Sequence, residues 1–252
     1  MDLSRQGELL KRPCPPVTVV GAGATGFHVA HLLLGLGCPR IKIWDHDTIE
    51  ESNLNRQLYG MEGIGENKAD YLVRLLERAA LGSEEEQQFI AEPRALEVYT
   101  CTPEDFAGYH VVINTTDNLY HHGALLKKMG IWLDEGKTNL MEVVYISPRM
   151  SAFDAEVFTM QLEIPNDYVY FHTLEEWKEL ERGRASCTAG ARPFNPAIVT
   201  TSYLVSTMAV QQLVNHLNNE PVAQWLRMDL ETFKVESREF FETSGPEGWL
   251  YH

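Results

Sequence analysis

Short apolar runs, separated by stretches with a helical repeat, organise the first half of the chain. VTVV (Val17–Val20) lies next to prolines and reads as a buried strand. A glycine-rich turn follows, and FHVAHLLLGLG (Phe27–Gly37) then reads as a helix closed by Gly35 and Gly37. IKIW (Ile41–Trp44) is a second strand that ends on Asp45. Strand, glycine turn, helix and strand make one βαβ unit. Asn67–Ala80 has Leu72, Leu75 and Leu76 on one helical face. Val111–Asn114 is a further buried strand, Leu119–Gly130 is helical, and IWLDEG (Ile131–Gly136) reads as a strand.

The pattern changes after Met141. MEVVYIS and AEVFTMQLE are rich in β-branched and aromatic residues, which suits antiparallel additions to the sheet. The tail QWLRMDLETFKVESREFFET alternates and is expected to form a last hairpin. Between these lie a segment of mixed polarity, about 164–190, expected to cross over the sheet, and a helix from about Asn195. Pro193–Asn219 carries no Asp, Glu, Lys or Arg, but its many Thr, Ser, Gln and Asn residues argue for a buried or subunit-interface helix over a membrane span. With no repeat or low-complexity linker, residues 1–252 form a single expected domain, of the α/β class, with a mostly parallel sheet, helices on both faces and an antiparallel C-terminal extension.

Composition narrows the function. Lys and Arg number 21 and Asp and Glu 36, a formal charge of −15, which repels phosphate backbones at long range and argues against nucleic acid as a partner. The acidic bend Gly82–Gln88 reads as solvated surface. The four cysteines (Cys14, Cys38, Cys101 and Cys187) form no C-x-x-C pair. Neither a zinc site nor a disulfide framework is therefore expected, and a reducing, cytoplasmic setting fits. MDLSRQGELLKR has acids and no apolar core, unlike a signal peptide.

The chemistry begins at Gly21, Gly23 and Gly26, which make G-x-G-x-x-G. The first permits a tight turn, the second a close phosphate approach, and the third helix-on-strand packing. The helix N-terminus beyond them favours an anion. Asp45, ending the next strand, can accept both ribose hydroxyls. Alone, these features suit any adenine nucleotide, NAD included. SNLNRQ (Ser52–Gln57), Lys68 at a helix start and Asp117 in NTTDN shift that reading. An Arg and a Lys can clamp a triphosphate, and an Asp at a strand's carboxyl end can hold Mg²⁺. Singly, each also reads as surface charge, and Asp117 as a helix cap. An NAD oxidoreductase would leave Arg56, Lys68 and Asp117 without a purpose.

GAGATG, D-x-D-T-I-E-x-S-N-L-N-R-Q, the G-x-x-K step ending at Lys68 and T-T-D-N occur together and in order. This resembles the ThiF/MoeB/HesA superfamily of ubiquitin-activating-enzyme-like adenylating proteins, from about Val17 to Val214. The resemblance implies a Rossmann-like fold with a nucleotide-binding half (13–135) and a partner-binding half (136–252). It implies MgATP-dependent adenylation of the C-terminal glycine of a ubiquitin-like or sulfur-carrier protein. By position, Asp45 is the ribose ligand, Asn55, Arg56 and Lys68 are the phosphate and transition-state set, and Asp117 is the magnesium-binding catalytic acid. Cys187, in RASCTAG, is the implied acyl acceptor for thioester transfer to a conjugating partner, with a buried structural thiol as the plain alternative. Cys14, Cys38 and Cys101 are expected to be structural, and His121 and His122 to lie on a helix surface. The chain departs from the pattern in lacking zinc cysteines and the N-terminal arginine segment, for which Arg5 or Arg12 is a weak substitute. A compact homodimer is expected. A non-catalytic scaffold subunit is the non-enzymatic alternative.

Overall fold

The computed structural model describes residues 9–80, 87–97, 100–116, 119–137, 143–150, 154–162, 199–223 and 225–238. Eight strands form one sheet: β1 (Val17–Val20), β2 (Arg40–Trp44), β3 (Gln88–Glu92), β4 (Val111–Asn114), β5 (Val143–Met150), β6 (Asp154–Leu162), β7 (Trp225–Asp229) and β8 (Lys234–Arg238). Their order is β3-β2-β1-β4-β5-β6-β7-β8. The first five strands in that order are parallel and the last three are added antiparallel. The helices are α1 (Ala24–Gly35), α2 (Lys68–Ala80), α3 (Leu119–Asp134) and α4 (Val199–Leu217). This is the mostly parallel α/β architecture expected, with its antiparallel extension.

The period-two geometry of a strand sorts the core into two layers. Val17, Val19, Ile41, Ile43, Val111 and Ile113 face one layer, where Phe27 and Leu33 of α1, Leu72 and Leu76 of α2, and Val205 and Leu213 of α4 pack. Val20, Trp44, Val112 and Tyr145 face the other, with Leu125, Met129 and Trp132 of α3. Burial on both sides explains the unbroken apolar runs.

Two expectations are corrected, and one strand was not foreseen. Ile131–Asp134 is the last turn of α3 and not a strand. Leu125, Met129 and Trp132 fall on one face at helical spacing, so tertiary packing claims the short apolar run for the helix. β3 was not legible, because QFIAE is a half-exposed edge strand beside the acidic bend. Cys14 and Cys38, expected as separate thiols, are joined by a disulfide with a Cα–Cα distance of 4.9 Å. The parallel register sets Val17 beside Ile41, and each cysteine lies three residues before its strand partner. Neighbouring parallel strands run about 4.8 Å apart, so the two backbones arrive at bridging distance.

The uncharged helix is α4, and burial accounts for its composition. Thr201, Ser202, Val205, Ser206, Met208, Ala209, Gln212 and Leu213 face inward. Ser206 donates from its hydroxyl to the Thr25 carbonyl (3.0 Å), pinning α4 to α1. The C-terminal carbonyls of α4 are capped by Arg12, which donates from Nε to Leu217 O (3.3 Å) and also bonds His216 O. Arg12 is thereby committed to the fold. Among the described residues no helix is long and apolar enough to cross a membrane.

The disulfide closes a loop of sequence separation 24, and a crosslink of that span stabilises by about 3 kcal/mol in the chain-entropy model. Protein purified without reductant and then denatured is expected to titrate two fewer thiols than its four cysteines. Reduction is expected to lower the melting temperature by ~6–12 °C. Four reactive thiols in the non-reduced sample would contradict the bond.

Candidate nucleotide site

The glycine turn sits between β1 and α1, at the carboxyl edge of the parallel strands. Gly21 has φ +94°, a conformation that glycine adopts without a Cβ penalty. A Cβ on Gly26 would lie 1.9 Å from the Gly21 carbonyl oxygen, so this position needs glycine for α1 to close against the turn. A Cβ on Gly23 would meet nothing within 4 Å. Open space therefore faces the start of α1, where Gly23 is the N-cap without a side-chain cap and the first turn holds no acid. Backbone N–H groups and the helix dipole are left to serve an anion there.

The turn is held by side chains from elsewhere. Asp45 accepts the Ala22 N–H on Oδ2 (2.6 Å) and the Asp47 N–H on Oδ1 (2.8 Å). The buried Tyr59 hydroxyl donates to the Ala22 carbonyl (2.5 Å). Thr115 donates from its backbone N–H to Val20 O (2.7 Å), and its hydroxyl lies 3.0 Å from Val20 O and 2.9 Å from Gly21 O. Burial pushes the Asp45 carboxyl up from its ordinary range, against the pull of the two N–H donors and of Lys68. Burial, then the Asp45 charge, holds the Tyr59 phenol well above its usual value, so it remains a donor.

Lys68 opens α2 and is 8% exposed. Its ammonium pairs with Asp47 Oδ2 at 3.0 Å and its N–H bonds Asp47 O at 2.9 Å. Asn67 organises this corner from both sides. Its Oδ1 accepts the N–H groups of Ala69 (2.8 Å) and Asp70 (3.1 Å), capping α2. Its Nδ2 donates to Asp45 O (2.9 Å) and Asp47 O (3.2 Å). Asp45, His46 and Asp47 bring three ligand atoms within 4.8 Å of one another. Asp45 is already engaged by the glycine turn and Asp47 by Lys68, so these carboxylates serve the turn.

Arg56 and Asn55 lie on the turn after a short 3-10 segment (Glu51–Asn53). The Arg56 guanidinium donates to Ser52 O and to Asn55 Oδ1, both at 2.9 Å. Thus Gly21, Gly23, Gly26, Asp45 and Lys68 are brought together through Ala22, Asp47 and Asn67, while Asn55 and Arg56 bond each other. Asp117 and Cys187, and with them the crossover segment at about 164–190, lie outside the described residues. The stem leading to Asp117 is described. Thr116 bonds Asn114 Oδ1 through its N–H (3.2 Å) and hydroxyl (2.9 Å), and Asn114 Nδ2 donates to the Tyr145 hydroxyl (2.9 Å). Cys101 is a buried thiol pushed up to about 11 by burial, which suits a structural role.

Asp47, Tyr59, Asn67 and Thr115 were not singled out from the sequence. Asn67 had a signal, an Asn directly before a helix start. The other three act through contacts between distant segments.

Comparison with known proteins agrees with this geometry. The model of the ThiF family matches residues 12–247. A segment of 124 residues is 38% identical to the mouse (Mus musculus) adenylyltransferase and sulfurtransferase MOCS3, covering 47% of this chain and 25% of that protein. The match thus spans about a quarter of that curated relative. Among solved structures, E. coli MccB with ATP superimposes with a TM-score of 0.66 at 15% identity, covering 92% of this chain and 64% of that one. PaaA does so with 0.68 at 15%, covering 96% and 77%. At these identities the structures speak for the fold.

Asp45→Asn keeps the side chain's shape, removes its charge and puts an amide donor against one of the two backbone N–H groups that the carboxylate accepts. Loss of a hydrogen bond to a charged group costs about 1.5–3 kcal/mol, so MgATP affinity measured calorimetrically is expected to fall ~10–100-fold. In the unsubstituted protein affinity is expected to decline on acidification at a higher pH than an unperturbed aspartate would set, because the raised Asp45 carboxyl takes up its proton earlier. Asp45→Asn is expected to flatten that decline. Equal affinity for the two proteins would remove Asp45 from the site.

Proposed function

The chain belongs to the ThiF family, and from that premise we propose that it adenylates the C-terminal glycine carboxylate of a ubiquitin-like or sulfur-carrier protein with ATP. One observation carries the reading: Asp45 is bonded directly to the glycine turn and is joined through Asp47 to Lys68, so a carboxylate, an open helix N-terminus and a cation share one edge.

In the proposed reaction a carboxylate oxygen of the partner's terminal glycine attacks the α-phosphorus of ATP. The bond to the bridging oxygen breaks, and pyrophosphate leaves with that electron pair. The product is an acyl-adenylate. Two anions must meet, so the site has to offset the charge that builds on the phosphates. The α1 N-terminus receives the phosphates, Asp45 accepts the ribose hydroxyls, and Lys68 and Arg56 take up the charge. Asn55 holds the Arg56 guanidinium. Lys68 is released from Asp47 to do so; its ammonium is the buried partner of that pair and the Asp47 carboxylate the exposed one. Asp117 would hold Mg²⁺, which supplies further charge neutralisation. The open approach at Gly23 suits a phosphate chain.

A thioester is proposed as the next step. The Cys187 thiol gives up its proton, its sulfur attacks the acyl carbonyl, and AMP departs. The acyl group then passes to a conjugating partner. A homodimer is part of this reading. Sulfur delivery to the acyl-adenylate is the second reading, favoured by the match to a relative named adenylyltransferase and sulfurtransferase.

ATP–pyrophosphate exchange with a glycine-ended ubiquitin-like protein tests the proposal. Exchange is expected to require that protein, to fall ~10²–10³-fold in Asp117→Ala, and to survive in Cys187→Ala, which would lose a thiol-labile acyl adduct seen by mass spectrometry. Tight MgATP binding without exchange for any such partner would point to a scaffold subunit. Exchange without an adduct would favour sulfur delivery.

A further inference from the structure

Buried His28 is the one imidazole of α1 that joins three separate elements. It lies two residues past Gly26 and is 3% exposed. Its Nε2 is 3.1 Å from the backbone carbonyl oxygen of Arg56. A carbonyl can only accept, so Nε2 carries a proton and donates. The opposite side of the ring is covered by Tyr203, with ring centroids 3.8 Å apart and planes at 25°. Tyr203 belongs to the second turn of α4, and the nearby Ser206–Thr25 bond fixes α4 along α1 at the same level. Phe27 meets the His28 ring edge-on, at 5.4 Å and 87°.

We infer that His28 is a positioning residue for Arg56, and that Tyr203 stacking makes this support depend on α4. The inference rests on the proposed role of Arg56 in the nucleotide site. The Arg56 turn is otherwise tied by its own local bonds: Arg56 N–H and Gln57 N–H to Asn53 O, at 3.1 and 3.0 Å, and the guanidinium to Ser52 and Asn55. Those bonds shape the turn locally; Tyr59, three residues on, is tied to the glycine cradle by its hydroxyl on the Ala22 carbonyl and by its ring against Phe27, which leaves the anchoring of Arg56 itself to His28. The His28 bond attaches the backbone of Arg56 to α1, and so sets where its guanidinium starts from.

Burial lowers the His28 pKa, so at neutral pH the ring is uncharged, has a single N–H, and directs it at Arg56. Its flat face suits a tyrosine ring in an offset stack. Tyr203 is 44% exposed, so its own burial is not what holds it there. α4 follows the segment bearing Cys187 in the chain. The contact therefore connects the helix after the acyl-acceptor segment to the arginine of the adenylation site.

The test uses His28→Leu, His28→Gln, Tyr203→Ala and Tyr203→Phe in the full chain, each also combined with Arg56→Ala. Amide hydrogen exchange over residues 51–59 is read beside the kcat and KM for ATP in pyrophosphate exchange. His28→Leu is expected to speed exchange in 51–59 several-fold while β3 is unaffected. A misplaced charge-stabilising group typically costs the chemical step more than ground-state binding, so kcat should fall about tenfold with KM changed less than about twofold. His28→Gln puts an amide N–H near the Nε2 position and should recover most of both. Tyr203→Phe keeps the ring and should behave as the parent, whereas Tyr203→Ala should move both readouts in the direction of His28→Leu. In the Arg56→Ala background His28→Leu should cost no further kcat, since residues acting through one group are non-additive.

Unchanged exchange over 51–59 in His28→Leu would overturn the inference, whatever the activity. So would an equal loss of kcat with and without Arg56. If the parent protein supports no pyrophosphate exchange, the adenylation reading fails, and hydrogen exchange still decides whether His28 holds the Arg56 turn. Should His28→Leu not fold, Tyr203→Ala against Tyr203→Phe carries the comparison.

Discussion

A turn wedged between two parallel strands and a helix must find partners for its peptide groups, and at Gly21–Gly26 those partners come from three other segments. The Ala22 N–H goes to Asp45 and the Ala22 carbonyl to Tyr59, while Thr115 serves the carbonyls of Val20 and Gly21. An unmet buried peptide group costs about as much as a lost hydrogen bond, and more where water cannot enter. The demand therefore falls on side chains, and each that answers it carries its own segment to the turn. Asp45 brings the end of β2, Tyr59 brings the stretch beyond Arg56, and Thr115 brings the stem that leads to Asp117. The site is assembled by the same bonds that keep the turn folded.

That arrangement also explains an electrostatic oddity. The chain is acidic overall, yet its proposed ligand is a polyanion. Long-range repulsion is screened beyond roughly 8–10 Å at physiological salt, so local fields decide. Locally, the start of α1 presents unshielded N–H groups, and Asp45 is partly neutralised by two N–H donors and by Lys68. Asp47 holds Lys68 at the corner while no phosphate is there, and so prevents a buried ammonium from standing alone. An acidic pair beside the proposed phosphate site is thus consistent with anion binding, because each carboxylate is already engaged.

What the sequence discloses, and what it withholds, follows from the range of the forces involved. β1, β2, β4, α1, α2 and the β7–β8 hairpin were legible because burial on one or both faces imposes a local period. Gly21, Gly23, Gly26, Asp45 and Lys68 were legible because a turn, a strand end and a helix start are local features. β3 was hidden by its edge position and mixed polarity, and the end of α3 by an apolar run too short to declare its period. The Cys14–Cys38 bond depends on how β1 registers with β2, and Thr115 and Tyr59 depend on loops separated by tens of residues. Arg12, a weak substitute for the missing N-terminal arginine segment, has its position set by the carbonyls at the end of α4, nearly the whole chain away.

The two halves of the chain are one core. α4 follows the antiparallel strands in sequence, yet it packs on α1, the helix that begins at the phosphate turn, and Val205 and Leu213 share a layer with Phe27 and Leu33. Its neutrality follows from this position, since an inward-facing charge would need a partner that the layer does not supply. Of the polar groups that α4 buries, the Ser206 hydroxyl reaches across the seam to the Thr25 carbonyl, and the Gln212 side-chain oxygen accepts the Ala223 N–H. Leu162 at the end of β6 and Val199 at the start of α4 therefore both stand on elements tied to the nucleotide half. β6 and α4, the elements on either side of residues 163–198, share one core layer with the glycine turn.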